Sequence, residues 1–174
     1  MNEAVARMLA RYERRRAEDD VKVLREILQE IALLGLWRSR FFEKAALYGG
    51  TALRILYGMD RYSEDLDFSL LKPAAEFDLS RYCNALEKEI RSFGFEANVT
   101  GKSKSGQSAI QSAFLKADTL KHLLVINTTE ALTGSIPPGQ VLKIKIEVDI
   151  DPAIKFDTEA QEFLIFVKIW LNIN

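Results

Sequence analysis

The sequence predicts an α+β domain, a mixed β-sheet with helices packed mainly on one face. The first observation is a short apolar segment, Ala45–Tyr48, which is typical of a buried strand and ends at two glycines. Two further segments, Leu66–Leu70 and Val141–Ile150, alternate apolar and polar residues as half-buried strands do. We expect these three strands to lie side by side, because two of them carry carboxylates on the polar face.

Length, charge and composition narrow the class of protein. The 174 residues and 48% hydrophobic content fit one globular domain. The 24 basic and 25 acidic residues give a net charge of −1, which argues neither for nor against nucleic-acid binding. One cysteine and one histidine exclude an internal disulfide and histidine-rich zinc chemistry. No apolar run reaches the ~18 residues of a membrane span, so we expect a cytoplasmic protein.

The remaining patterns divide the chain into a helical segment (residues 1–40), a core (residues 41–158) and an apolar tail (residues 159–174). Apolar residues recur at helical spacing in the first segment, at Val21, Leu24, Ile27, Leu28, Ile31 and Leu34. Within the core we predict a helix over Leu79–Phe93 ended by Gly94, strands over Phe95–Thr100 and Ala109–Leu115, and a short helix over Thr119–Ile126 that carries His122.

The glycine pair after the first strand suggests a phosphate-binding turn. Gly49 and Gly50 permit a sharp turn and a close approach of the backbone to a ligand. Thr51 can cap a helix over Ala52–Tyr57, which Gly58 would close. The free N–H groups at the start of such a helix favour an anion such as a phosphate.

A carboxylate pair follows on the second strand. Asp65 and Asp67 are two residues apart, so their side chains share one face, and like charges there repel. A divalent cation between them would explain the arrangement. Mg²⁺ is usually held by one or two carboxylates together with substrate phosphates.

The third strand has a charged face that includes Lys143, Lys145, Glu147, Asp149 and Asp151. One interpretation is a half-buried strand whose charged side only faces water. The other is that this strand lies beside Asp65 and Asp67 and supplies a third carboxylate, because a two-metal phosphoryl-transfer site needs one to share the ions.

In order, GGTAL, RYSEDLDF and IKIEVDIDP resemble the nucleotidyltransferase superfamily, and more closely the AbiEii/AbiGii toxin family of bacterial abortive-infection and toxin–antitoxin systems. The resemblance covers about residues 21–158. It implies a nucleotidyltransferase-like sheet and maps the family's Lys-x-Glu onto Lys145 and Glu147, with Asp149 as a second candidate. It also implies that an NTP is bound by Gly49, Gly50, Thr51, Arg61 and Lys145, and Mg²⁺ by Asp65, Asp67 and Glu147.

The resemblance further implies transfer of a nucleotide to an acceptor, for which RNA is the expected class and tRNA one candidate, and a cognate antitoxin as partner. The family normally continues into a further helical region, so we expect a C-terminally truncated chain whose residues 162–174 pack on a second copy or are poorly ordered. Two alternatives stay open: a catalytically inactive binding module of the same fold, and a phosphodiesterase or nuclease using the same carboxylates. The nuclease is less favoured because the glycine turn is a nucleoside-triphosphate feature.

Overall fold

The computed structural model describes residues 2–13, 17–101, 119–127 and 141–152. The predicted strand Ala109–Leu115 and the tail over residues 159–174 lie outside the described residues. The α-helices of these ranges are α1 (Glu3–Leu9), α2 (Ala17–Arg38), α3 (Gly49–Tyr57) and α4 (Ser80–Ser92). The strands are β1 (Ala45–Tyr48), β2 (Asp65–Leu70), β3 (Glu96–Gly101), β4 (Thr119–Asn127) and β5 (Val141–Asp149).

Within the described ranges, the strands form one mixed sheet in the order β1-β2-β5-β4-β3. Strands β2 and β5 run parallel, and the other neighbouring pairs are antiparallel. The predicted neighbourhood of the first three strands is therefore confirmed, with β2 between β1 and β5. The parallel pair joins segments that are about 70 residues apart in the chain, which places the two carboxylate-bearing strands side by side.

One face of the sheet is apolar and packs on the helices. Leu66 and Phe68 of β2 and Ile144, Ile146 and Val148 of β5 are fully buried. They share one core with buried residues of α1, α2 and α4, so the predicted α+β arrangement with helices mainly on one face is confirmed. Because side chains alternate along a strand, the carboxylates of β2 and β5 are left on the opposite face.

The prediction of a helix over Thr119–Ile126 is wrong, because these residues form β4. The segment TLKHLLVIN contains a continuous apolar run, and periodicity alone does not separate a buried helix from a buried strand in such a run. Strand β4 pairs along its length with β5 and along most of it with β3. Pairing on both sides satisfies its backbone groups and decides the conformation.

Two local expectations also change. The segment predicted as helical over residues 1–40 holds two helices, α1 and α2. Helix α3 begins at Gly49 rather than Ala52, so Thr51 lies inside the first turn and is not the cap. Gly58 ends α3 as predicted, in the left-handed conformation. None of the helices in the described ranges has the length and apolarity to cross a bilayer.

Candidate active site

The site begins where β1 passes into α3. The backbone of Tyr48 is extended and precedes the helix. Gly49 adopts a positive φ of 78°, a conformation that residues other than glycine rarely adopt. A β-carbon at Gly49 would also lie 3.0 Å from Oδ2 of Asp67. The turn therefore needs glycine both for its conformation and because a carboxylate of the next strand packs against its backbone.

The first turn of α3 is fastened to the start of β2. The Thr51 hydroxyl is buried and donates a short hydrogen bond to the carbonyl of Asp65. A β-carbon at Gly50 would lie 3.1 Å from the hydroxyl oxygen of Ser63, which precedes β2. The free backbone N–H groups of this turn are thus held against the strand that carries Asp65 and Asp67.

The register of β2 and β5 brings the predicted carboxylates together. Asp67 is the partner of Glu147, Asp65 is the partner of Lys145, and Ser69 is the partner of Asp149. Neighbouring strands lie about 4.8 Å apart, so partner side chains on one face are in close reach. Asp67 and Glu147 therefore share one patch of the open sheet face, with Asp149 one step further along it.

Lys145 places a positive charge among these carboxylates. Its Nζ atom lies 2.9 Å from Oδ2 of Asp65 and 3.3 Å from Oε1 of Glu147. The hydrogen bond to Asp65 raises the pKa of Lys145 against the opposing effect of desolvation, and the charges of Asp65 and Glu147 act in the same direction as the hydrogen bond. The ammonium group bridges the two strands and offsets the repulsion between their carboxylates.

The donor chemistry fits Mg²⁺ with substrate phosphates as additional ligands. Across the described ranges, no group of three or more His, Cys, Asp or Glu side chains is arranged as a ready-made metal site. Mg²⁺ does not require one, since it is commonly held by one or two carboxylates plus phosphate oxygens. Asp65, Asp67 and Glu147 are partly exposed, hard oxygen donors on one face, beside the turn whose N–H groups favour phosphate.

Arg61 and Tyr48 flank helix α3 in the chain. Arg61 is exposed in the connection between α3 and β2. Tyr48, which the sequence reasoning missed, is the strand partner of Asp67 and is 49% exposed. Partial burial raises the pKa of Tyr48, as do the negative charges of Asp67, Asp149 and Glu147. Its position just before the glycine pair was the signal available in the sequence.

The described strands form a mixed sheet in which a glycine turn packs against a carboxylate of the next strand, which is the fold that the resemblance to nucleotidyltransferases predicts. The family model of the nucleotidyl transferase AbiEii toxin, type IV toxin–antitoxin system, matches residues 31–165. The chain therefore belongs to the AbiEii family. No curated protein sequence matches the chain.

The solved structures similar to this chain include two from Helicobacter pylori. The crystal structure of a "putative nucleotidyltransferase from H. pylori" is 19% identical, with a TM-score of 0.50 over 80% of this chain and 50% of that chain. JHP933 from Helicobacter pylori is 18% identical, with a TM-score of 0.44 over 81% of this chain and 46% of that chain. The first likeness supports the fold, and this chain spans about half the length of either protein.

Proposed function

We propose that this chain is a Mg²⁺-dependent nucleotidyltransferase that transfers a nucleotide from an NTP to an RNA acceptor. The observation that carries the proposal is the pairing of Asp67 with Glu147 across parallel strands, with the Gly49 backbone packed against the Asp67 carboxylate. In this arrangement the turn proposed to bind phosphate lies next to the carboxylates proposed to bind the metal ion. Metal-dependent phosphoryl transfer from an NTP commonly uses both parts.

The residues would divide the work by their chemistry. The backbone N–H groups of Gly49, Gly50 and Thr51 would hold the β- and γ-phosphates, since the N-terminus of a helix attracts anions. Asp65, Asp67 and Glu147 would hold Mg²⁺, which when bound stabilises the negative charge that develops on the transferred phosphate.

Lys145 and Asp149 would act beside the metal ligands. The Lys145 ammonium is already among the carboxylates and would offset part of the triphosphate charge. Asp149 lies two residues beyond Glu147 on the same strand face, where it is a candidate for accepting the proton of the attacking hydroxyl. Arg61 would contribute only if a bound nucleotide reaches the exposed connection in which it lies.

The partners follow from the family and from the proposed reaction. Because the AbiEii family belongs to type IV toxin–antitoxin systems, we propose a cognate antitoxin for this chain. An RNA acceptor, such as a tRNA, is the substrate class that the resemblance favours. A net charge of −1 means that the electrostatic attraction for RNA would have to come from a local basic surface.

The test is incubation of the full chain with each α-labelled NTP, Mg²⁺ and total bacterial RNA. We expect label to enter RNA with one or two of the four nucleotides, and expect Asp67→Asn and Glu147→Gln to abolish it. Glu96→Gln is the matched control, because Glu96 is an exposed strand carboxylate on β3, two strands away from β5. Absence of both labelling and Mg²⁺-dependent nucleotide binding would support the inactive binding module instead.

A further inference from the structure

Helix α2 carries a row of polar side chains that are almost completely buried. Glu26 is 6% exposed, Gln29 2% and Glu30 3%. Charged side chains are almost never buried to this extent unless they are paired. Glu26 and Gln29 have partners in α3 and in the connection over residues 58–64, which joins the helix proposed to bind phosphate to the carboxylate strand. Glu26 also accepts a hydrogen bond from the Tyr12 hydroxyl at 2.9 Å.

Arg54 is the centre of this network. Its Nε atom donates to Oε2 of Glu26 at 2.8 Å and its Nη1 atom donates to the carbonyl of Met59 at 2.8 Å. The guanidinium group also lies over the ring of Tyr62, 4.3 Å from the centroid. One side chain of α3 thereby joins α2 to Met59 and Tyr62 of the connection.

Gln29 and Arg25 hold the last part of the same connection. Gln29 Nε2 donates to the carbonyl of Ser63 at 3.2 Å, and Arg25 forms an ion pair with Glu64. The hydroxyl of Ser63 packs against Gly50, and Glu64 is followed directly by Asp65. The buried polar row of α2 therefore reaches the immediate neighbours of both halves of the candidate site.

We infer that Glu26, Gln29 and Arg54 are positioning residues, which set the separation between the phosphate-binding turn and the metal-binding carboxylates. They do not line the site themselves. They clamp the connection whose length and path decide how far Gly49–Thr51 stand from Asp65 and Asp67. The inference rests on the proposed function for its consequence in nucleotide binding, whereas the clamp itself is a property of the fold.

A displacement of about 1 Å between positioned groups of a site can cost on the order of 100-fold in rate. Glu26 and Arg54 are largely withdrawn from water, with side chains 8% and 17% exposed, so removing the charge of one leaves the other uncompensated and moves the connection.

The test compares two carboxylates of similar burial. Glu26→Gln breaks the pair with Arg54, and Glu89→Gln breaks the pair between Arg38 of α2 and Glu89 of α4, where Glu89 is 7% exposed. Both variants should lower the melting temperature of the full chain. Only Glu26→Gln should also weaken binding of Mg²⁺–ATP or Mg²⁺–CTP, by at least about tenfold, when measured well below both melting temperatures.

Hydrogen exchange separates this inference from the proposed function. In Glu26→Gln, backbone amides of residues 58–64 should exchange about tenfold faster, and in Glu89→Gln they should match the wild type. If the wild type binds neither nucleotide, the proposed function fails, and the exchange result still decides whether the clamp exists. Unchanged exchange in Glu26→Gln, or equal acceleration in Glu89→Gln, overturns the inference.

A milder variant covers the case in which Glu26→Gln does not fold. Gln29→Met keeps the length of the side chain but has no N–H group to donate to Ser63. We expect faster exchange confined to the end of the connection and weaker nucleotide binding. Wild-type behaviour in both measurements would remove Gln29 from the clamp and overturn the inference as stated.

Discussion

The Asp67 carboxylate packs against the backbone of Gly49, with Oδ2 only 3.0 Å from the point where a β-carbon would stand. This contact joins the two halves of the candidate site directly. It couples the conformation of the turn to the position of a proposed metal ligand. A substitution at Gly49 should therefore displace the Asp67 carboxylate and change nucleotide binding.

The first prediction separates backbone strain from this contact. Gly49 and Gly58 both have a positive φ, but a β-carbon at Gly58 meets nothing within 4 Å. Gly58→Ala should therefore lower the free energy of unfolding by about 1–2 kcal/mol for strain alone, and leave nucleotide binding intact. Gly49→Ala should lower the free energy of unfolding by more than Gly58→Ala does, because it also displaces Asp67, and it should abolish Mg²⁺-dependent nucleotide binding.

Urea denaturation measures the stability of the two variants, and nucleotide titration measures their binding. Equal effects of Gly49→Ala and Gly58→Ala would contradict the role of the contact between Gly49 and Asp67.

The second prediction concerns the carboxylates. Asp67 shares one sheet face with Glu147 and Asp149, so Asp67→Asn should leave the melting temperature unchanged or raise it slightly by relieving repulsion. Asp65→Asn removes one of the two carboxylate partners of Lys145, and since the side chains of Asp65 and Lys145 are about two-fifths exposed this should cost no more than about 1 kcal/mol. Both variants should lose the shift in melting temperature that Mg²⁺–ATP or Mg²⁺–CTP causes in the wild type. A sharp loss of stability in Asp67→Asn would instead indicate a structural role.

The third prediction concerns Lys145 as an internal counter-ion. Lys145→Met leaves Asp65 and Glu147 facing one another without the ammonium group, so the Mg²⁺-free protein should melt at a lower temperature. Added Mg²⁺ should then raise the melting temperature by more than it does in the wild type, because the cation supplies the missing charge. Lys143→Met is the control, since Lys143 is exposed two residues earlier on the same strand. Identical Mg²⁺ responses in Lys145→Met and the wild type would count against this role.

The fourth prediction is a pH dependence that comes from the buried row of α2. Burial raises the pKa of Glu30, although Arg11, 3.0 Å away, acts in the opposite direction. A carboxyl whose pKa is higher in the folded than in the unfolded state binds its proton more tightly in the folded state. Its contribution to the free energy of unfolding therefore grows as the pH falls through the folded-state pKa, and it levels off below the unfolded-state pKa. Wild type should therefore gain stability relative to Glu30→Gln as pH falls from 7 towards the ordinary value of 4.5.

Urea denaturation of both proteins at several pH values in this range checks the direction. Glu96→Gln is the control, because Glu96 is exposed. If the stability difference between wild type and Glu30→Gln does not change with pH, Glu30 is not a proton-binding group of the folded state in this range.

Local chemistry was enough to predict several elements. The glycine pair, the alternation over β2 and β5 and the helical spacing over α4 are properties of neighbouring residues. The observed bounds differ from the predicted ones by one residue for β2, α4, β3 and β5. Gly58 ends α3 for the reason that the sequence indicates. The error at Thr119–Ile126 arose where local pattern is ambiguous, since an apolar run suits either a buried helix or a strand paired on both sides.

The sequence by itself determined which residue types could form the site: the spacing of Gly49, Asp65 and Asp67 indicates a phosphate-binding turn and a carboxylate pair, and the family resemblance adds Glu147. Only the tertiary structure decided which of them meet. The pairing of Asp67 with Glu147 and of Lys145 with Asp65 depends on the register of two parallel strands far apart in the chain. The alternation of apolar and polar residues excludes a slip of one residue, which would turn every side chain to the other face. A slip of two residues keeps the faces and would give the carboxylates other partners, so the local pattern does not decide which of them meet. The clamp from α2 has the same origin, because Glu26 and Arg54 meet only once the helices have packed.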